Sequence, residues 1–372
     1  MTQFEERRMR LAEAMEAGGD WPDRSPWIRD AVAALPRHLF APDRLWCWDG
    51  FHYQPVDRAE DPELWAAEVY AGPSDPAVTQ VMGGRASSSI SCQAVVVDML
   101  DALMLQEGHR VLELGTGAGW NASLLGWRAG PGRVVSVEVD AGLAAEARRC
   151  LAVAGADVDV QVGDGSLGWP VGAPYDRVIS TYAVDRVPWE WVAQTRGGGR
   201  IVTPWGRLGH VALTVAEGGG SATGWVQGLA MFMPSRGSEA GLGWSEVRGD
   251  GPPQDERLVA RELLSLRDDA HLLFAVRVVL PDVVVIMNAC DGTAVWAHDG
   301  VSSWAMLSAS DDEGAAIAHQ GGPRRLVEEL ERARGWWVSE GRPELYDFGM
   351  TVEPDQQYVW CRDPVAGSRW PV

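Results

Sequence analysis

An α/β fold on a mostly parallel central sheet is what this 372-residue sequence predicts, from three observations. From residue 110 four short β-branched runs, "RVLELG", "RVVSVEV", "VDVQVGD" and "YDRVIST", are each separated by helical or loop stretches. Strand alternating with helix requires a parallel sheet covered on both faces. The first run leads into a glycine-rich turn and a further helical stretch, "VLELGTGAGWNASLL". After "GGGRIVTPWG" the helices stop, and "HVALTVAE" and "TGWVQGLAMFM", joined by "GGGSA", read as an antiparallel hairpin closing the sheet edge.

Ahead of the sheet, residues 1–82 are expected to form a helical cap. "MTQFEERRMRLAEAMEAGG" is a charged amphipathic helix without the apolar core or cleavage site of a signal peptide. In "SPWIRDAVAALPRHLF", Ser25 is a natural N-cap, Pro26 a natural first helical residue and Pro36 a stop. Residues 83–235 then hold the ligand-binding domain. A Gly-, Ser- and charge-rich stretch, "PSRGSEAGLGWSEVRGDGPPQ", marks a boundary near residue 236. Residues 236–372 read as an α+β domain: a helix "DERLVARELLSL", strand-like runs turning at "CDGT" and "HDGV", a helix "PRRLVEELERARGWWVSEG" and a last hairpin "YDFGMTVEPDQQYVWCRDP".

Composition narrows the partners. Fifty-two acids face thirty-two bases, all of them arginine, for a formal net charge of -20. Such a field repels phosphate backbones and anionic membranes, so neither a nucleic acid nor a membrane is expected as a partner. No run approaches the ~18 apolar residues of a membrane span. The five scattered cysteines show no CxxC pair and no metal-ligand spacing, which points to reduced thiols in a cytoplasmic protein without a metal site. A monomer is expected.

The ligand constellation sits at successive strand ends. Gly115, Gly117 and Gly119 let the backbone turn sharply and approach a ligand, while the helix that follows presents free N–H groups. Glu138, about 20 residues on, is placed to accept two ribose hydroxyls. Asp164 and Gly165, in "VGDGS", stand where an adenine amino group needs an acceptor. A dinucleotide fits the first two; the ordered set of three favours S-adenosylmethionine. Glu113, Thr116 and Gly117 of the turn complete the expected cofactor contacts. Acids that merely cap turns are the plain alternative.

These residues carry a resemblance. "LPRHLFAP" at 35–42, "VTQVMGGRASSSIS" at 78–91, "VLELGTGAGW" at 111–120, "VGDGSLGWP" at 162–170, "APYDRVISTYAVDRVP" at 173–188 and "RGGGRIVTPWG" at 196–206 stand in the order of the protein-L-isoaspartate O-methyltransferase family, which the chain resembles. The resemblance implies a Rossmann-like class I methyltransferase fold, with S-adenosylmethionine converted to S-adenosylhomocysteine. It also implies a serine-rich segment lining the acceptor carboxylate. Ser91 is the first candidate for that contact because "SIS" matches the family's Thr-Ile-Ser, with Ser89 second. Ser88, Thr181 and Tyr182 are further candidates on the substrate side. Ser91 also precedes a helix and could serve as its N-cap. His38 reads as a packed histidine, Cys92 as a small buried residue, and "DDE" at 311–313 as a solvated turn.

The departures from the family pattern suggest a specialised acceptor. "SSISCQA" lacks the proline or histidine of the repair enzymes, and residues 236–372 have no counterpart in the short ones. The tail is similar to extensions of actinobacterial homologues that esterify one aspartate of a ribosomally made lanthipeptide, lasso peptide or graspetide. The expected partner is then a modified precursor peptide, read by the C-terminal domain. Its methyl ester would close to an aspartimide, which can hydrolyse to isoaspartate. General isoaspartate repair and a non-catalytic peptide-binding module are the alternatives.

Overall fold

The computed structural model describes residues 3–206, 209–236, 241–287, 294–311 and 314–372. The chain divides into two compact units, Met1–Ser235 with Thr351–Gln357, and Arg236–Met350 with Tyr358–Val372.

The first unit opens with helices α1 (Gln3–Gly18) and α2 (Trp27–Ala34), the second ending just ahead of Pro36. The expected all-helical cap is corrected here. Strands β1 (Arg44–Trp48), β2 (Tyr53–Asp57), β3 (Ala77–Met82) and β4 (Arg85–Ile90) form an antiparallel sheet in the order β2-β1-β3-β4, with α3 (Pro62–Val69) between the two hairpins. The physical reason is local: "RLWCW" and "YQPVD" pair residue for residue from Arg44–Asp57 to Trp48–Tyr53. Aromatic and branched side chains suit such a pleated pair. A boundary at residue 83 would cut the β3–β4 hairpin, whose turn is the glycine pair Gly83 and Gly84 at φ +56° and +76°. Thus "GGRASSSI" is a turn and a strand, not a linker.

Helix α4 (Gln93–Leu103) leads into the alternating part: β5 (Val111–Leu114), α5 (Trp120–Ala129), β6 (Val134–Glu138), α6 (Ala141–Ala154), β7 (Val158–Val162), β8 (Tyr175–Ser180), α7 (Trp189–Ala193) and β9 (Thr195–Trp205). Parallel pairing places Leu112 between Val135 and Val178, and Val178 beside Ile201. The order β9-β8-β5-β6-β7 builds outward from β5 in both directions. The gap outside the ends of β5 and β8 is therefore a topological switch point, where open parallel sheets bind ligands. Every residue of β5 is buried, and Leu100 of α4, Leu124 of α5 and Val202 of β9 join the same core. The hairpin β10 (Gly209–Val215) and β11 (Ala222–Leu229) follows antiparallel, as the sequence predicts.

The second unit is α+β. It holds α8 (Trp244–Arg248), β12 (Asp255–Ala260), α9 (Ala270–Val279), β13 (Val284–Met287), β14 (Val295–His298), β15 (Trp304–Ala309), β16 (Ala315–Gly321) and α10 (Leu326–Ser339). Its antiparallel sheet runs β12-β16-β15-β14-β13. "DERLVARELLSL" is not a helix: its first half pairs along β16 from Asp255–Gln320 to Ala260–Ala315, and only Arg261–Arg267 coils, as a 3-10 turn. Cross-strand bonds satisfy the main chain there at the expense of helical propensity. Conversely "AHLLFAVRVV", branched enough to read as strand, is α9, with Asp269 capping it through the N–H groups of His271 and Leu272. The "HDGV" turn is built on Asp299, which accepts from Val301, Ser302 and Ser303. "CDGT" lies outside the described residues. The closing strands β17 (Phe348–Val352) and β18 (Gln357–Cys361) are divided between the units, and the turn that joins them, in which Glu353 N–H donates to the Gln356 carbonyl at 2.9 Å, belongs to the first.

Gly224 in β11 has no room for a side chain, since a Cβ there would land on the Ala212 carbonyl oxygen of β10. Gly224→Ala is expected to destabilise the chain by about 2–3 kcal/mol through forced separation of the hairpin. Urea unfolding measures this; an unchanged midpoint would contradict the packing described.

Candidate active site

Strand β5 ends at Leu114, and the chain must then reverse into α5 across the switch point. Gly115 and Gly117 do this at φ +93° and +52°, in the left-handed region that favours glycine. A Cβ on Gly115 would stand 2.5 Å from Thr181 Oγ1 and 2.9 Å from Tyr182 Cδ1, so bare backbone is needed on spatial grounds too. Glu138, at the end of β6 and 6% exposed, ties the next strand to the turn: its Oε2 accepts from Gly117 N–H at 2.9 Å and its Oε1 from Asp140 N–H at 3.1 Å. Asp164, beyond β7, is exposed and accepts from Ser166 N–H through Oδ1 at 2.9 Å. It does cap a turn, as the plain alternative held, but its Oδ2 accepts no hydrogen bond among the described residues.

Beneath the turn lies a buried polar chain. Asn121 of α5 donates to Glu113 Oε1 at 2.8 Å, Ser136 of β6 donates to Glu113 Oε2, and the Ser136 and Thr116 hydroxyls are 2.6 Å apart. Glu113 and Ser136 are wholly buried and Thr116 is 4% exposed. Glu113 and Thr116, expected among the cofactor contacts, place their polar side chains in this buried polar chain. The Glu113 carboxyl and the Thr116 hydroxyl point into the protein and hold the turn's shape from below. Burial pushes the Glu113 carboxyl up to about 7, against the hydrogen bonds from Ser136 and Asn121.

The serine segment reaches the turn from the other side. Ser88 is buried, and its Oγ lies 3.8 Å from where a Cβ of Gly117 would be, as does the Ser89 carbonyl oxygen. A bulge between Val78 and Val81 in the facing strand β3 sets this aim by shifting the register of β4. Ser89 and Ser91 are half-buried. Ser91 is not the cap of α4; that position is Cys92, whose side chain makes no capping bond. Burial raises the Cys92 thiol, keeping it protonated. Thr181 and Tyr182, expected on the substrate side, stand against the glycine turn. Thr181 Oγ1 donates to the Gly115 carbonyl, and the Tyr182 ring lies between Gly115 and Gly165. His38 is packed as expected, stacked on Phe4 at 4.6 Å and hydrogen-bonded to Tyr70 at 2.7 Å. "DDE" falls partly outside the described residues, of which Asp311 is exposed.

Two features escaped sequence reasoning. Gln80 of β3 donates to Asp140 at 3.3 Å and accepts from Ser87 at 2.8 Å. Beside them a cavity of about 230 Å³ opens, lined by Thr79, Gln80, Gly117, Asp140, Leu143 and Glu146. Nothing in "VTQVM" marks Gln80 out, because its partner is 60 residues away. Arg37, fully buried, donates to the Ile90 carbonyl at 3.2 Å and lies over the Trp120 ring at 5.2 Å. It thereby pins the end of the serine strand to the helix after the turn, and only its place inside "LPRHLFAP" could have signalled it.

Comparison with known proteins places this arrangement. The model of the family described as Protein-L-isoaspartate(D-aspartate) O-methyltransferase matches residues 56–237. A Protein-L-isoaspartate O-methyltransferase of Anaeromyxobacter dehalogenans (strain 2CP-C) is 39% identical over 181 residues, covering 48% of this chain and 73% of the relative. Protein-L-isoaspartate O-methyltransferase 1 of Archaeoglobus fulgidus is 33% identical over 233 residues, covering 62% of this chain and 94% of its own. The chain belongs to the protein-L-isoaspartate O-methyltransferase family. A solved protein-L-isoaspartate O-methyltransferase shares the fold at a TM-score of 0.54 with 21% identity, over 96% of this chain and all of that one. That likeness of fold extends through most of residues 236–372.

As a member of that family the chain is an S-adenosylmethionine-dependent carboxyl O-methyltransferase. The residues present fit this cofactor. Gly115, Gly117 and Gly165 leave bare main chain, Glu138 stands at the second strand end, and Asp164 keeps one uncommitted oxygen beside Gly165.

The raised Glu113 carboxyl makes a testable statement about pH. The fold favours its protonated form, so its stabilising contribution is complete below about pH 4.5 and is lost as pH rises through about 7. Glu113→Gln is expected to remove that component. Urea unfolding of both proteins from pH 4.5 to 8 checks it: the wild type should lose roughly 3 kcal/mol more than the variant over this range.

Proposed function

We propose that the chain methylates the free carboxylate of an aspartyl-type residue, isoaspartate or aspartate, in a peptide or protein. The observation that carries this reading is Ser88 on the glycine turn, which joins a hydroxyl-lined strand to the cofactor cradle. An acceptor carboxylate, with a reference pKa of ~3.9, is already ionised near neutrality, so positioning and exclusion of water suffice. S-adenosylmethionine, when bound, supplies the electrophilic methyl group. Glu138 and Asp164 would hold its ribose and adenine. Ser88, Ser89 and Ser91 would donate hydrogen bonds to the acceptor oxygen that is not methylated, orienting it without neutralising it. Groups that could compete for the methyl are held protonated by burial, Cys92 and Tyr182 among them.

A narrower reading rests on the acceptor segment. "SSISCQA" departs from the repair enzymes on the face that meets substrate, which favours one aspartate of a ribosomally made, modified peptide, with aspartimide forming from the ester. A generic isoaspartyl peptide and labelled S-adenosylmethionine separate the two: efficient turnover supports repair and sinks the narrower reading. With the cognate precursor, mass spectrometry should show gain of a methyl group and then loss of methanol.

Two variants test the division of labour. Glu138→Ala is expected to weaken S-adenosylhomocysteine binding by about 10- to 100-fold, the worth of one or two charge-assisted hydrogen bonds, and to leave peptide affinity unchanged by calorimetry. Equal losses for both ligands would contradict the assignment, and no binding by the wild type would favour a non-catalytic module. Ser88→Ala is expected to raise KM for the peptide about tenfold in steady-state assays while cofactor affinity stays within twofold.

A further inference from the structure

Tyr182 has no part in the chemistry above, yet its ring stands inside the cradle. A Cβ on Gly115 would fall 2.9 Å from Tyr182 Cδ1, and one on Gly165 would fall 2.5 Å from its hydroxyl oxygen. The ring therefore bridges the first glycine of the turn and the residue after Asp164, which is the span between the methyl-donating and nucleoside ends of the cradle. Burial, with the nearby Asp164 and Glu138 carboxylates, raises the phenol and keeps it neutral. Its hydroxyl makes no hydrogen bond among the described residues. Behind it Trp191 meets the ring edge-on, with centroids 6.2 Å apart, and donates its indole N–H to the Gly165 carbonyl at 2.8 Å.

The main chain here is clamped. Ser180 Oγ donates to the Tyr182 carbonyl at 2.8 Å and accepts from Tyr182 N–H at 3.3 Å, and Thr181 N–H donates to the Leu114 carbonyl at 2.9 Å. With the main chain held, any movement here is that of the side chain, which packs against Trp191 and the two glycines. Van der Waals contact of that kind is weak per atom pair. An adenosyl group seated between Gly115 and Gly165, as the cofactor reading has it, cannot share that space with the ring.

We propose that Tyr182 is a gate, whose ring fills the nucleoside end of the cradle in the free chain and swings out about its side-chain bonds to admit the adenosyl group. This rests on the cofactor reading given above. It predicts a population effect: when the competent state is a fraction of the whole, apparent affinity falls by that fraction. With the open rotamer populated roughly one time in ten, the ring lowers apparent affinity about tenfold.

The experiment uses the full chain, with S-adenosylhomocysteine as the probe. Calorimetry gives Kd and surface plasmon resonance gives the rates for wild type, Tyr182→Phe and Tyr182→Ala, after thermal melts establish that each is folded. The gate predicts that Tyr182→Ala binds about tenfold tighter, mainly through faster association, and that Tyr182→Phe, which keeps the ring, matches the wild type. Weaker or equal binding by Tyr182→Ala would show the ring to be a wall of the site and overturn the gate alone. If neither wild type nor Tyr182→Ala binds, the cofactor reading falls and the gate with it. Should Tyr182→Ala fail to fold, Tyr182→Leu replaces it, and the absence of any rise in its association rate overturns the proposal equally.

Discussion

The constraint on which the first unit depends is that bare main chain must be held rigid at the end of β5. Glycine supplies the left-handed conformations and the space, but it also loses the most conformational freedom on folding. The buried chain from Asn121 through Glu113 and Ser136 to Thr116 offsets this from below by tying α5, β5, β6 and the turn together. Such a network is costly when incomplete, since a buried carboxyl without partners loses its solvation uncompensated. Both Glu113 oxygens are occupied, and the same burial makes the neutral carboxyl the favoured form. The turn's shape is thus held by a carboxyl buried beneath it.

From this platform the rest of the site follows by topology. Parallel strands growing outward from β5 leave their ends open on one side, and Glu138 and Asp164 arrive there because each ends its strand or the loop just beyond it. The serine strand arrives from a different sheet, and its aim comes from the bulge in β3 and from Arg37 beneath Ile90. Two independent supports therefore converge on Gly117, one carrying carboxylates and the other hydroxyls. That division suits the chemistry. Carboxylates near an anionic acceptor would repel it, whereas hydroxyls and backbone N–H groups orient it without a counter-charge.

What was legible in the sequence was whatever is encoded within a few residues. The strand-turn-helix of β5 and α5, the acids at 138 and 164 and the β10–β11 hairpin each follow from local pattern. What was illegible depended on partners far along the chain. "DERLVA" became a strand because residues 315–320 pair with it, and the helix in "AHLLFAVRVV" is hidden because burial almost all round erases the period that distinguishes helix from strand. The same limit governs the site. Glu113 and Thr116 lie in the right motif, but their side-chain directions are decided by Ser136, more than 19 residues away, and no spacing rule records which way a hydroxyl turns.

Acceptor choice is the property this logic leaves to the serine strand. A solved family member shares the fold over 96% of the chain. In the function proposed above, the glycine turn, Glu138 and Asp164 are given to the methyl donor. On that reading selectivity falls to the short stretch between the Gly83–Gly84 turn and α4, where Ser88 Oγ lies 3.8 Å from where a Cβ of Gly117 would be and Ser89 and Ser91 are half-buried. A strand is well suited to this, since alternate residues serve opposite faces. Ile90 can stay packed against the fold while Ser89 and Ser91, one residue to either side, vary with substrate and Ser88 keeps its place beside the glycine turn.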